Sequence, residues 1–114
     1  MRDRATFMAL RTQGVRVRRG PLVATYLDQG PAAPRRVGFA LGRHLGGAVV
    51  RNRTRRRLRA VLAELVRIEP AAVPGGALVI GAQAEVVSWS PTELRAGVAG
   101  LLAEVDRRRN GSTR

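Results

Sequence analysis

Two long stretches of the chain repeat their apolar residues at helical spacing, and several short ones alternate apolar and polar positions singly. Val50, Thr54, Leu58, Val61, Leu62 and Leu65 form one stripe on a 3.6-residue period, which predicts a helix from Ala48 to about Arg67. Leu94, Val98, Leu101, Leu102 and Val105 form a second stripe. It follows Ser90-Pro91-Thr92-Glu93, where Ser caps, Pro fits the first turn and Glu93 completes a capping box. A shorter helix is predicted at the start, capped by Asp3 and ending at Gln13, with Gly14 suited to the position just past its end. Phe7 and Leu10 share a face of it, with Arg4 and Arg11 nearby.

The strands lie between these helices. Val15 to Arg18 alternates apolar and basic residues. Pro21 to Leu27 puts Leu22, Ala24 and Tyr26 on one face and Val23, Thr25 and Leu27 on the other. After a Gly30–Pro34 turn, Arg36 to Gly42 alternates Val37, Phe39 and Leu41 with Gly38, Ala40 and Gly42. The small residues of that second face leave room for a helix or ligand to come close. Gly46 and Gly47 make a hinge into the central helix, Pro70 to Gly76 breaks the chain after it, and Ala77 to Gln83 reads as a short buried strand. The order α-β-β-β-α-β-α predicts an α+β fold, a small α/β sandwich with helices packed on a four-stranded sheet. One domain is expected over residues 1–107, followed by a frayed basic tail at 108–114.

Charge changes this picture from a fold to a surface. All 21 basic residues are arginine, and the first 59 residues hold fifteen of them against Asp3 and Asp28, a balance of 15 − 2 = +13. Residues 60–114 carry six arginines and six acids, a balance of zero, so the whole net charge of +13 sits in the first half. The excess peaks in the central helix at Arg51, Arg53, Arg55, Arg56, Arg57 and Arg59, and no acid occurs between Asp28 and Glu64. Arg51, Asn52, Arg55, Arg56 and Arg59 lie opposite the apolar stripe, with Arg53 and Arg57 along the other flank. A solvated face usually mixes signs, and a disordered basic tail would lack the stripe. Planar guanidinium forks suit phosphate oxygens, and like charges at this spacing destabilise a helix unless a partner neutralises them. The pattern points to a nucleic-acid-binding helix.

Other chemistry is sparse. There is no cysteine, which excludes disulfides and thiolate zinc sites. The single histidine, His44, lies in a glycine-rich loop without an evident carboxylate or nucleophile partner. The eight acids are scattered, with no pair spaced for general acid/base work or a magnesium site. No catalytic and no metal-ligating residue is therefore expected. No apolar run approaches membrane-spanning length and no signal peptide is evident, so a cytoplasmic location is expected.

Val37-Gly38-Phe39, Gly46-Gly47-Ala48-Val49-Val50-Arg51-Asn52-Arg53 and Arg55-Arg56-Arg57-Leu58-Arg59 together resemble the signature of the bacterial ribonuclease P protein subunit. The resemblance runs from about residue 2 to residue 107 in element order. It implies a protein cofactor of a ribozyme: the RNA subunit removes the 5′ leader of precursor tRNA with magnesium ions, bound mainly by the RNA, and the protein helps bind the RNA and the leader. It also implies a left-handed βαβ crossover, against the usual rule, and a monomeric protein in a 1:1 ribonucleoprotein. Carried over residue by residue, Arg51, Asn52, Arg53, Arg55, Arg56 and Arg59, together with Arg43, would bind RNA. Phe7, Arg11 and Thr25 would line the leader cleft. Gly47 replaces the family's usual Asn, Gly42-Arg43 its Ser-Lys pair, Arg11 and Thr25 two of its usual aromatics, and Gln83 an arginine. A structural rRNA-binding protein of ribosomal type would share the charge and the fold class, and a DNA-compacting protein is a third reading, but neither needs the Gly-Gly-Ala-Val-Val-Arg-Asn-Arg block.

Overall fold

The computed structural model describes residues 4–30, 32–73 and 75–111. Helix α1 (Arg4–Gln13) leads into strands β1 (Val15–Arg19), β2 (Leu22–Asp28) and β3 (Arg35–Ala40). Helix α2 (Ala48–Ile68), strand β4 (Gly76–Ala82) and helix α3 (Pro91–Gly111) follow. The predicted element order holds. Asp3, the expected cap of α1, lies outside the described residues. Helix α3 continues through Arg107 to Gly111, so residues 108–111 are helical rather than a frayed tail. Arg109 helps hold that last turn, its Nε lying 3.2 Å from the Asp28 carboxylate at the end of β2.

The strands form one sheet in the order β1-β2-β4-β3. β1 and β4 both run antiparallel to β2, and β3 runs parallel to β4, the two being joined through α2. Alternation of side chains across the pleat gives the sheet two unlike faces. One carries Val17, Leu22, Ala24, Tyr26, Leu78, Ile80 and Ala82, all buried, and packs with Leu58 and Leu62 of α2 and Leu94, Val98, Leu101 and Val105 of α3. Both stripes read from the sequence thus meet in one core. Among the described residues no helix covers the other face, and α1 lies at its side.

Local chemistry fixes the helix ends. Ser90 Oγ accepts the Glu93 amide at 3.1 Å while Glu93 Oε1 accepts the Ser90 amide at 2.8 Å, the reciprocal box that starts α3. Gly46 bends the chain into α2 at φ +137°, a conformation other residues rarely adopt. Gly14 closes α1 for a different reason: a Cβ there would lie 2.3 Å from the Leu10 carbonyl oxygen, so close approach rather than a left-handed backbone demands glycine. Short 3-10 turns at Arg43–Leu45, Pro70–Ala72 and Ala84–Ser88, which apolar periodicity does not reveal, tie the elements together. Among the described residues, no helix is long and apolar enough to cross a membrane.

Candidate nucleic-acid interface

Strand register assembles the open face in two rows. Across β1, β2, β4 and β3, Arg16 stands beside Thr25, Val79 and Gly38, and Arg18 beside Val23, Gly81 and Ala40. Long cations occupy one side of the sheet, and glycine or alanine the other. The small residues predicted for β3 therefore make a floor that backbone and ligand can approach closely.

Three adjoining hollows share this floor. Leu10, Arg11, Arg16, Thr25 and Val79 line one of about 390 Å³, beside α1. Arg16, Arg18, Thr25, His44 and Val79 line a second of about 370 Å³. Gly38, Ala40, Val79, Arg55 and Arg59 line a third of about 260 Å³ at the β3 side. Val79 belongs to all three, so they form one trough running from α1 to the basic helix. Arg11 and Thr25, predicted for a cleft, lie together in it. Phe7 falls within α1, but its side chain lies outside the described residues. Tyr26 faces the opposite way and is buried in the core, as its place in the alternation requires.

The arginines of α2 divide by direction. Arg55 and Arg59 turn toward the trough. Asn52 Oδ1 accepts a hydrogen bond from the Arg55 guanidinium at 2.9 Å, which orients that fork one turn along the helix. Arg59 lies over the Phe39 ring at 5.9 Å from its centroid. Arg53 and Arg56 are exposed on the flank of the helix, and Arg51 is half-buried, its Nε shielded from solvent without a hydrogen-bond partner. Arg43 is exposed on its 3-10 turn, apart from the trough lining. Beneath the stripe, the Thr54 hydroxyl donates to the Val50 carbonyl at 2.9 Å, which lets a polar residue sit in the core.

Arg57 behaves differently from its neighbours. Its guanidinium donates to the carbonyls of Val87 in the Ala84–Ser88 turn, at 3.4 Å, and of Trp89 just past it, at 2.5 Å. It fastens α2 to the segment that leads into α3. The helical pattern puts it on the flank with Arg53 but does not reveal this fastening, because its partners lie 30 and 32 residues away.

Sequence reasoning left Arg16, Arg18 and His44 out of the site. Arg16 and Arg18 were legible in the alternation of β1, which puts both on one face. His44 was not: its Nε2 lies 2.9 Å from the Ala82 carbonyl oxygen, a contact made only once β4 is in place. The trough's described side chains are arginines, small or apolar residues, and the polar Thr25, His44 and Gln83, with no carboxylate among them. This is a surface for a polyanion that also has apolar parts, and no nucleophile with an adjacent base is among them.

A family model for ribonuclease P matches residues 1–106. Ribonuclease P protein components are similar over much of the chain. That of Nocardioides sp. is 37% identical over 94% of this chain and 85% of its own length. That of Thermobifida fusca is 38% identical over 99% and 80%. The match to the Gluconacetobacter diazotrophicus protein, 40% identical, spans 61% of this chain and 60% of that relative. Among solved structures, the RNase P protein from Thermotoga maritima superposes with a TM-score of 0.72 at 20% identity, covering 90% of this chain and 93% of that one. A mutant RNase P protein of Staphylococcus aureus superposes with 0.77 at 16% identity over 93% and 86%. These structural likenesses show the fold.

Proposed function

The chain belongs to the ribonuclease P protein family, and we propose that it holds the catalytic RNA through the basic face of α2 and the 5′ leader of precursor tRNA in the trough. The observation that carries this reading is the continuity of the two surfaces: Arg55 and Arg59 belong to the arginine-rich helix and also wall the trough floored by Val79. An RNA seated on α2 therefore delivers a neighbouring single strand across the open sheet. Arg51, Asn52, Arg53, Arg55, Arg56 and Arg59, with Arg43 beside them, are the RNA contacts. Arg11, Thr25 and Phe7 are the leader contacts, joined by Arg16 and Arg18. The shielded, unpartnered Nε of Arg51 supports such a role, since a buried donor left unpaired is costly until a phosphate oxygen accepts from it.

On this reading the bond is cut by the RNA. Among the described residues, no three histidines or carboxylates gather as a protein metal site needs. The residues lining the trough do not fit magnesium, so the ion is assigned mainly to the RNA's phosphates. The protein's contribution is to lower the cost of bringing polyanions together and to fix where the leader lies. Arginine forks can follow a phosphate backbone without reading bases. The described lining of the trough offers Arg11, Arg16 and Arg18 for this, with Thr25 and Val79 between them, and so favours a leader held by its backbone. The protein acts as a monomer in a 1:1 complex in the cytoplasm.

The test is precursor-tRNA cleavage by the catalytic RNA at low magnesium, with and without this protein. Stimulation by the protein, with no cleavage by the protein alone, is the expected result. Turnover by RNA-free protein that a point mutation abolishes would overturn the assignment of chemistry to the RNA.

A further inference from the structure

β3 is an edge strand, and its outer side borders another hollow, which shares Val37, Phe39 and Arg59 with the β3 end of the trough and extends from there along α2. Val37 and Phe39 sit on the helix-covered side of the sheet, in register with Leu78 and Ile80, yet both remain partly open because β3 is the last strand of the sheet among the described residues. Leu62 and Val66 of α2 face them. The four side chains floor a cavity of about 490 Å³, and Arg59 and Arg67 stand at its rim. Neither arginine has an ion-pair partner among the described residues.

We propose that this groove between β3 and α2 is a binding site for an unpaired nucleobase of RNA, adjoining the trough at the β3 edge. The inference rests on the reading of α2 as an RNA-contacting helix. Three features select the occupant. The floor is apolar, so a bare phosphate would leave it uncovered, whereas a base brings a flat apolar face. The rim is cationic, and Arg59 and Arg67 are two turns apart, about 12 Å along the axis, within reach of the phosphates of a short unpaired stretch. The Arg59 guanidinium already lies over the Phe39 ring, so a base sliding in extends an existing cation–aromatic stack. A second copy of this chain is disfavoured because it brings another +13 to an already positive rim.

Arg59 also walls the trough, so the groove continues the proposed RNA surface around the β3 edge. An RNA held on α2 can send one nucleotide into each side. The groove is thus a second, sequence-tolerant anchor that stiffens the placement of the strand beside it.

The test uses the full chain and a short single-stranded RNA carrying 4-thiouridine. Ultraviolet crosslinks are expected at the 62–66 segment of α2, which lines the groove and not the trough, besides those in the trough and at Phe39, which lines both. Ala63→Glu places a carboxylate at the groove wall on an exposed helical position, where the fold should tolerate it. It should abolish the groove crosslinks, spare those in the trough and weaken binding by about five- to a hundredfold, the effect of one lost base stack. Ala96→Glu on exposed α3 adds the same charge elsewhere and should weaken binding far less. Crosslinks confined to the trough, with both variants binding alike, would overturn the groove and leave the function proposed above intact. Failure of the unmodified chain to bind RNA would overturn both. Protection of residues 62–66 from hydrogen exchange by a polyglutamate peptide, without an RNA crosslink there, would assign the groove to an acidic protein segment and overturn the proposal.

Discussion

Helices α2 and α3 are each 21 residues long, pack side by side on the same face of the sheet and bury similar stripes, yet they treat their arginines in opposite ways. On α3 three of the four arginines are answered by acids within the fold. Arg95 pairs with Glu64 across to α2, Arg107 with Glu104 one turn back, and Arg109 with Asp28 and Asp106. On the first half of α2, Arg51, Arg53, Arg55, Arg56 and Arg59 have no carboxylate within ion-pair reach among the described residues. Arg57 is satisfied by backbone carbonyls rather than by an acid, and Arg55 finds only the neutral amide of Asn52. A helix whose cations are paired contributes to the architecture. One whose cations are left over repels itself until a polyanion arrives, so its charge is kept for a partner.

The most disruptive way to test that contrast is to remove leftover charge. Replacing Arg55 and Arg56 with alanine deletes two forks and leaves Leu58, Leu62 and Leu65 in place. Charge-assisted contacts contribute about 1.5–3 kcal/mol each at most, so affinity for the catalytic RNA should fall by one to a few orders of magnitude. Urea unfolding should show stability unchanged or slightly raised, because self-repulsion is relieved. Lost stability with unchanged affinity would place these arginines with those of α3.

Arg57→Ala should do the reverse. It strips the donors from the Val87 and Trp89 carbonyls and loosens the join between α2 and the start of α3. A stability loss of about 1–3 kcal/mol is expected in urea unfolding, against almost none for Arg56→Ala. RNA affinity should fall no more than one long-range charge accounts for. A variant as stable as the parent would mean that Arg57 is one more leftover cation.

That pair of neighbours marks where the sequence stopped being legible. The stripe of α2, the box at Ser90 and Glu93 and the small face of β3 are local, since each is set by residues within a turn or a pleat of one another. They were read correctly, and with them came the element order and the basic face. Arg57 was placed on the flank and left out of the RNA contacts, but its part in the fold was invisible because carbonyls 30 and 32 residues downstream decide its direction. The trough was only half visible for the same reason. Thr25 and Arg11 came from a family resemblance, but the row that joins Arg16, Thr25, Val79 and Gly38 exists only because β4 inserts between β2 and β3. No periodicity encodes that insertion. The end of α3 was missed because Arg107 to Arg109 look like a solvated tail until Asp28, 81 residues away from Arg109, comes beside them.

A smaller effect is expected from α3's own pairs. Arg95 and Glu64 are both substantially exposed, with 47% and 40% of their side chains accessible. Water screens such a pair, so Arg95→Ala should cost about 0.2–1 kcal/mol, and salt should erase most of that. RNA affinity should hardly move. A loss of affinity rivalling that of Arg55 and Arg56 would dissolve the distinction between the two helices.

The smallest effect at neutral pH, and the one confined to a single region of the pH scale, comes from Tyr26. Its ring lies in the core beneath α3. Burial raises the phenol's pKa above the usual value of 10.0, while Arg108 and Arg109 on the last turns of α3 pull it back and Asp28 adds a small push upward. The unfolded phenol ionises first as pH rises, so the neutral form favours the folded state. Its contribution is full below about pH 10 and is lost as pH climbs from there through the higher folded value. Tyr26→Phe keeps the ring and removes the ionisation. Both proteins should have matching pH dependence below pH 9, and above pH 10 the variant should lose stability less steeply. Arg109→Ala should steepen the loss in the parent, since it removes one of the cations that favour the phenolate. An alkaline limb unchanged by Tyr26→Phe would mean that the last turns of α3 and the phenol are not coupled, and that the arginines there serve only their carboxylate partners.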